Sequence, residues 1–205
     1  MTGFCQTASW WLLRPIACLL ILLLPVSEMR AQAPEGIPIF EITPMESWIK
    51  FHVKSSTTIA GKFDDWNARL TFSSPDGTTG ALVIKIQAAS VDTGSGLKNG
   101  KLKGKDFFDV ETYPEITFTS TKFVKTGPHA FEVDGVFTIR GVSNPEKLTL
   151  TVSGRGTNSG EIKGAMVFNR KDYGMNKGIP FISIADHVDV TFHLKARRSA
   201  GPPLA

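Results

Sequence analysis

Carboxylates that could carry acid–base chemistry flank an aromatic pair near the middle of this 205-residue sequence. Asp106 and Asp109 stand on either side of Phe107 and Phe108. Catalysis by such a pair would need a pKa shifted by burial or by a close like charge, and the surrounding residues indicate neither. We interpret both acids as capping and solubilising groups for the phenylalanines, which are expected to insert into something apolar.

Imidazoles that could hold a metal lie near the C-terminus. His187, Asp189 and His193 recur at even spacing on a predicted strand, so their side chains share one face. A metal centre needs at least three ligands that converge at about 2 Å, and His193 lies too far along the strand. The pattern favours a solvated outer face. Ser95 lacks the outer glycines of a nucleophile elbow, so the sequence predicts no catalytic residue and no metal site.

The N-terminal segment has the pattern of an export signal. Arg14 supplies a positive flank, residues 16–26 are apolar, and residues 31–33 have the small-x-small form of a signal-peptidase site. The apolar run is shorter than the roughly 18–20 residues that span a bilayer. We therefore expect residues 1–33 to be a cleaved signal peptide.

Residues 34–205 are expected to form one domain, periplasmic or secreted. Cys5 and Cys18 both lie in the predicted leader, which excludes disulfides, thiolate metal ligands and cysteine nucleophiles from that domain. About 170 residues are enough for one well-buried core. The chain carries 23 basic and 19 acidic residues, a net charge of +4, which is too mild a balance to imply nucleic acid.

Alternation of apolar and polar residues runs through the domain and predicts strands. The predicted strands cover residues 37–42, 48–54, 62–72, 81–89, 116–121, 131–140, 148–152, 162–169 and 188–195. A break near Asp64 and Asp65 predicts a bulge or bend. One short helix is expected from Leu97 to about Phe108, weakened by its glycines. About eight antiparallel strands with one short helix predict an all-β barrel or sandwich, whose interior can be filled or can hold one small ligand.

Four blocks, in order, resemble those of the YceI-like family of secreted lipid-binding proteins. They are Phe51-His52-Val53-Lys54 with Gly61-Lys62-Phe63, then Asp106-Phe107-Phe108-Asp109 with Tyr113-Pro114-Glu115-Ile116-Thr117-Phe118, then Gly135-Val136-Phe137-Thr138-Ile139-Arg140-Gly141-Val142-Ser143, and last Asn169-Arg170-Lys171-Asp172-Tyr173-Gly174-Met175. The resemblance covers nearly all of residues 34–205. It implies a lipocalin-like antiparallel β-barrel whose interior takes a long isoprenoid or other amphiphilic chain.

The apolar lining expected for such a ligand is the set of large side chains predicted to face inward. It comprises Phe51, Phe63, Trp66, Leu82, Ile84, Phe107, Phe108, Phe118, Phe137, Phe168 and Phe192. Phe107 and Phe108 would either plug one end of the barrel as core or form part of the wall as a gate, and the sequence favours core. Arg140 and Arg170, each beside a turn, are expected to brace loop carbonyls or an acid such as Asp172.

One departure from the family pattern concerns the ligand headgroup. Family members often carry Arg-Asp-x-His-Leu before the central block, whereas residues 98–102 here read Lys-Asn-Gly-Lys-Leu. A histidine contact with a headgroup therefore does not carry over. Lys98, Lys101 and Lys103 form a cationic rim that could hold a phosphate or a polar quinone-like head less directionally. The favoured interpretation of residues 98–105 as a whole is the solvent-exposed face of a short helix.

We therefore predict an exported carrier or sequestering protein that binds a long isoprenoid, quinone-like or fatty amphiphile inside its barrel. It would need no cofactor and would not be an enzyme. One alternative is a structural or stress-response periplasmic protein with a filled barrel that acts through its surface, and another is an enzyme acting on a lipid. A transient contact with a membrane surface and a homodimer are left open.

Overall fold

Antiparallel strands make up most of the structure, a computed structural model that describes residues 39–57, 59–72, 79–154, 158–178 and 181–201. The predicted signal peptide, residues 1–33, lies outside these ranges. The strands are β1 Ile39–Ser55, β2 Ile59–Phe63, β3 Trp66–Phe72, β4 Gly80–Gln87, β5 Val91–Asp92, β6 Glu115–Lys125, β7 Ala130–Ile139, β8 Val142–Ser153, β9 Ser159–Asn169 and β10 Ile184–Ala200. The α-helix is α1 Gly96–Lys103, and single 3₁₀ turns cover Ala88–Ser90 and Arg170–Tyr173.

Eight of these strands close into a barrel. Strand β10 pairs with β9 on one side and with β1 on the other, and the neighbours between them follow in the order β8, β7, β6, β4 and β3. Strands β2 and β5 extend the sheet from the second half of β1. The predicted all-β barrel with one short helix is confirmed.

The first strand is longer than the sequence indicated. The alternation predicted two strands, 37–42 and 48–54, with Pro44 between them, but β1 is a single element of 17 residues. Pro44 falls in a register irregularity between Thr43 and Trp48, where β1 bulges against β10. A proline is tolerated at a bulge because no ladder hydrogen bond depends on its missing N–H. The predicted break at Asp64 and Asp65 is confirmed, since it separates β2 from β3.

The helix is shorter than predicted. It was expected to run over residues 97–108, but α1 ends at Lys103. Gly104 adopts an extended conformation, with φ −72° and ψ 170°, and the Phe108 N–H turns back to donate to the Leu102 carbonyl. Glycine disfavours a helix by about 1 kcal/mol relative to alanine, so the chain leaves the helix there and buries the aromatic pair in a turn.

One half of the barrel interior is filled by side chains. A Cβ atom at Gly135 would fall 2.3 Å from the Phe118 ring, and one at Gly164 would fall 2.0 Å from the Phe192 ring. Each ring therefore covers a glycine on the neighbouring strand. Beyond these rings lie side chains at most 2% exposed, namely Leu70, Leu82, Phe131, Val133, Leu148, Leu150 and Leu194. The packing of these two rings over glycines thus produces a solid layer across the barrel.

Candidate functional site

An apolar cavity occupies the other half of the barrel, between the filled layer and α1. Its volume is about 130 Å³. Because one water needs roughly 10–15 Å³ by this kind of measure, the cavity has room for about ten water-sized units. It is lined by Ile49, Phe51, Val53, Thr57, Ile59, Phe63, Ile86, Lys98, Lys101, Leu102, Phe107, Phe108, Ile116, Phe137, Ile139, Phe168, Arg170, Met175, Ile182, Ile184, Val188 and Val190.

Two aromatic groups form opposite parts of the wall. On the β1–β2 side, the Phe63 ring lies 5.6 Å from Phe51 and 5.9 Å from Phe108, measured between ring centroids. On the β7–β9 side, Phe137 and Phe168 lie 5.1 Å apart, and both rings contact Tyr173. Such tilted and edge-on contacts hold aromatic rings in defined positions. The wall is therefore preformed rather than collapsed.

Helix α1 covers the cavity and is anchored at its first turn. The Asn99 side-chain carbonyl accepts hydrogen bonds from the Thr93 N–H at 2.8 Å and from the Thr93 hydroxyl at 2.7 Å, while its amide donates to Asp92 at 3.3 Å. The pKa of Asp92 is lowered because its carboxylate accepts hydrogen bonds from the Gly94 N–H and from Asn99. An aspartate at position 99 would place a second carboxylate against Asp92. The amide in this chain avoids that repulsion.

The aromatic pair lies under the end of α1. Phe107 and Phe108 are 4% and 8% exposed and both line the cavity. The Lys101 ammonium lies 2.8 Å from the Asp106 carboxylate and 5.8 Å from the centre of the Phe107 ring. Lys101 donates a hydrogen bond to Asp106 and thereby lowers the pKa of that carboxyl. This pair joins α1 to the turn that carries the two rings. The expected insertion of both phenylalanines into an apolar interior is confirmed.

Arg170 reaches the cavity from the 3₁₀ turn after β9 and is 6% exposed. Its guanidinium donates to the carbonyls of Met175, Ala185 and Lys177 and to the Asp186 carboxylate. The predicted bracing of loop carbonyls is confirmed, but the paired acid is Asp186 rather than Asp172.

Arg140 braces the same end of the barrel. It adopts a positive φ of 54° and donates to the carbonyls of Gly174, at 2.5 Å, and Lys105, at 3.0 Å. The loop after β9 is thereby tied to the turn after α1. Both arginines therefore fix the loops around the cavity mouth, as the sequence predicted.

The residues predicted as ligand lining fall into two groups. Those that line the cavity are Phe51, Phe63, Phe107, Phe108, Phe137 and Phe168. Leu82, Ile84, Phe118 and Phe192 are buried in the barrel outside its lining, and Trp66 packs half-buried against the core. Of the predicted headgroup residues, Lys98 and Lys101 border the cavity, whereas Lys103 is half-buried outside the lining, where its charge acts on Asp92.

Most of the lining that the sequence did not single out is aliphatic. Ile49 and Val53 alternate with the predicted Phe51 on β1, and Ile139 shares the inward face of β7 with Phe137. The same alternation that selected the aromatic residues would have found these. Met175 and Ile182 lie in the loop between β9 and β10, where no periodic pattern marks an inward position.

The outer face near the C-terminus differs in part from the prediction. His187 is exposed, but the His193 side chain is only 19% exposed, with its Nε2 atom 3.3 Å from a Glu161 carboxylate oxygen and the Trp48 ring edge-on at 5.9 Å. A fully solvated face is therefore wrong for His193, because the β1 bulge brings Trp48 over it. In the described parts of the chain, no group of three or more His, Cys, Asp or Glu residues is placed to hold a metal ion.

Within the same described ranges, no helix combines the length and the apolar character that crossing a bilayer would require.

Sequence comparison relates this chain to a family of bacterial proteins. The model of the YceI-like domain matches residues 40–196. A UPF0312 protein of Pseudomonas syringae pv. tomato is 29% identical over 139 residues, which cover 65% of this chain and 72% of that protein. A UPF0312 protein of Photorhabdus laumondii is 30% identical over 118 residues, which cover 57% of this chain and 61% of that protein.

Solved structures share the barrel. BcnA of Burkholderia cenocepacia, 26% identical, superposes with a TM-score of 0.69 over 76% of this chain and 99% of BcnA. A polyisoprenoid binding domain from Saccharophagus degradans superposes with a TM-score of 0.60 over 78% of this chain and 99% of that domain, and at 17% identity this likeness shows the fold alone. The family model extends from β1 into β10 and matches well over half of the sequence, so the chain belongs to the YceI-like family.

Proposed function

We propose that this protein binds the apolar tail of a long isoprenoid, quinone-like or fatty amphiphile in the barrel cavity and carries or sequesters it. The observation on which this rests is the cavity itself, which is walled by hydrocarbon and has its charged groups, Lys98, Lys101 and Arg170, confined to the helix and loops around it. Ligand sites of this kind are concave and mostly apolar, with few polar groups. The polyisoprenoid binding domain of S. degradans, with the same fold, supports this class of ligand.

The size of the cavity sets how much of a tail it holds. Room for about ten water-sized units corresponds to about ten methylenes, since the two have similar volumes. At about 0.8 kcal/mol per buried methylene, the gross gain is about 8 kcal/mol before the costs of association. A longer tail would need the cavity to extend, and Phe107 and Phe108 are placed to move aside because they close the end under α1.

The headgroup would lie at the rim, near Lys98, Lys101 and Lys103. A phosphate or carboxylate there would compete with Asp106 for the Lys101 ammonium, which now lies 2.8 Å from that carboxylate. Release of Lys101 from Asp106 would also free the turn that carries the aromatic pair. Headgroup binding and opening of the tail site are therefore coupled in this proposal.

Catalysis is not part of the proposed function. A general acid at neutral pH needs a raised pKa, but the pKa of Asp106 is lowered by the hydrogen bond from Lys101. This carboxylate therefore stays ionised and serves as an ion-pair partner.

Export is proposed as well, on the strength of the leader pattern. Residues 1–33 would be removed, and residues 34–205 would act in the periplasm or outside the cell. N-terminal sequencing of protein from the periplasmic fraction tests this. A mature chain that begins within a few residues of position 34 is the expected result, and an intact N-terminus in the cytoplasm would contradict it.

Native mass spectrometry of protein purified from its own host, followed by solvent extraction, tests the ligand proposal. We expect a bound mass that extraction releases as an amphiphile, and rebinding of added polyprenol, quinone or fatty acid. Val190→Phe would fill the cavity and reduce binding at least tenfold, whereas Val167→Phe on the outer face of β9, where the valine is 51% exposed, would bind as the parent does. Protein that emerges empty and takes up none of these compounds would contradict the proposal.

A further inference from the structure

Two large apolar side chains project into solvent at the rim of the cavity. Leu97 is 89% exposed and Phe181 is fully exposed. Leu97 directly precedes Lys98, and Phe181 directly precedes Ile182, and both of these neighbours line the cavity. Phe181 also adopts a positive φ of 64°, a conformation that is strained for a bulky side chain. The two rim positions therefore expose apolar surface that no other residue described by the structure covers.

Positive charge is concentrated on the same rim. Residues 96–106 and 174–182 together hold five lysines and one aspartate, a net charge of +4, which equals the net charge of the whole chain. The aspartate is Asp106, which pairs with Lys101. Asp186, a further acid beside this rim, pairs with Arg170 and Lys171. Residues 34–205 carry 21 basic and 18 acidic residues, a net charge of +3, so outside the rim they have a net charge of −1 and the excess positive charge lies at one end of the barrel.

We propose that this end of the barrel docks on an anionic lipid surface. Leu97 and Phe181 enter the interface, and the surrounding lysines contact anionic headgroups. A cationic surface with apolar anchors is the combination that binds anionic membranes, through about 1 kcal/mol per lysine and through burial of the apolar groups. This inference rests on the proposed function, because docking serves to place the mouth of the cavity against the membrane that supplies the amphiphile.

The orientation follows from the position of the anchors. Leu97 lies on α1, and Phe181 lies in the loop after β9, so the two flank the cavity on segments that Arg140 ties together through the Lys105 and Gly174 carbonyls. An amphiphile that leaves the bilayer at this face would pass Lys98 and Lys101 before its tail reaches the phenylalanines. The charged rim thus faces the headgroups and the apolar cavity lies behind it.

Flotation with lipid vesicles tests the docking. The protein, produced from the full-length chain in an exporting bacterium, is mixed with vesicles of phosphatidylcholine alone or with about one third phosphatidylglycerol. We expect flotation with the anionic vesicles only and its loss in high salt, because salt screens exposed charges. Leu97→Ser/Phe181→Ser and Lys105→Glu/Lys177→Glu should each reduce bound protein at least tenfold.

Matched controls carry the same chemical changes elsewhere. Met45→Ser removes an apolar side chain that is 99% exposed in the β1 bulge. Lys122→Glu/Lys125→Glu reverses two exposed charges near the far end of β6, several residues beyond the cavity-lining Ile116. Both controls should float as the parent does.

Three results would overturn the inference. They are failure of the parent to float, equal binding by the rim variants, and equal loss in the control variants. If a second copy of this chain covers the rim instead, the parent should sediment as a dimer and should not bind vesicles. Leu97→Ser/Phe181→Ser should then sediment as a monomer. This result would also overturn the inference.

Ligand binding is measured on the same proteins by native mass spectrometry in vesicle-free buffer, which separates the two proposals. A protein that binds amphiphile but does not float overturns the docking alone. A protein that floats but never binds amphiphile overturns the proposed function.

Discussion

Replacement of Phe108 by alanine tests whether this ring forms part of the cavity wall or is packed on all sides as core. The ring is 8% exposed and packs on Phe63 with a centroid distance of 5.9 Å, but its other side borders the cavity. A phenylalanine packed on all sides costs about 3–5 kcal/mol when it is replaced by alanine. Because part of this ring already faces empty space, we expect Phe108→Ala to cost about 2–3 kcal/mol, and we expect ligand affinity to change as well.

Urea unfolding followed by far-ultraviolet circular dichroism measures the first effect, provided that the slope against urea is unchanged. Native mass spectrometry with a polyprenol or fatty acid measures the second. Phe123→Ala serves as the control, because Phe123 is half-buried at the far end of β6, 6.4 Å from Phe131 and away from the cavity. It should lose stability without a change in affinity. A loss below about 1 kcal/mol for Phe108→Ala, or an unchanged affinity, would refute the reasoning.

Three further predictions concern the packing of Phe192 on Gly164, the loops held by Arg170 and the titration of Asp106. Gly164→Ala should destabilise the barrel by about 1–3 kcal/mol in urea unfolding, because its Cβ would fall 2.0 Å from the Phe192 ring; a second change of Phe192 to Leu should recover part of the loss. Arg170→Met should cost about 1–3 kcal/mol in the same measurement, because it leaves the Met175 and Ala185 carbonyls without their donor, whereas Asp186 keeps its ion pair with Lys171. The pKa of the Asp106 carboxyl, followed by NMR, should lie below its ordinary value of 3.8 because the carboxylate accepts a hydrogen bond from Lys101. The contribution of this pair to the stability of the folded protein is present above pH 3.8 and is lost as the pH falls through the lowered pKa. Lys101→Met should return the pKa of Asp106 to the ordinary range.

The cavity exists because the interior is divided by aromatic rings that come from distant strands. Phe118 covers Gly135 from the neighbouring strand, and Phe192 covers Gly164 in the same way. Below these rings the barrel is solid, and above them the walls stay apart. An eight-stranded barrel is close to the size at which side chains can fill it or leave room for one small ligand. Because of where these two rings lie, one half of this barrel is filled by side chains and the other half contains a cavity.

The departure of this chain from the family pattern has a local explanation. Asn99 joins the start of α1 to Asp92 and Thr93, which a carboxylate could not do without repulsion. Lys101 takes the position of the family histidine and pairs with Asp106. Asn99 and Lys101 thus give α1 a hydrogen-bonded start and an ion pair with the turn that follows it. The sequence alone showed the departure, but only the partners explain it.

Local patterns in the amino-acid sequence were enough to predict the class of fold and the family. Alternation along a strand depends only on which face of the strand is buried, and it located nearly every strand of the barrel. The four motif blocks identified the family, and the acids around Phe107 and Phe108 indicated that the two rings would be buried. These features are local, so they can be read from neighbouring residues.

The tertiary structure alone decided where the barrel closes and where it is hollow. Pairing of β1 with β10 joins residues up to 161 positions apart, Ile39 and Ala200, and it carries β1 across Pro44. Alternation shows that a side chain points inward, but whether it meets another ring or empty space depends on side chains from strands across the barrel. For that reason Phe51 and Phe192 look alike in the sequence, yet one lines the cavity and the other closes the layer beneath it.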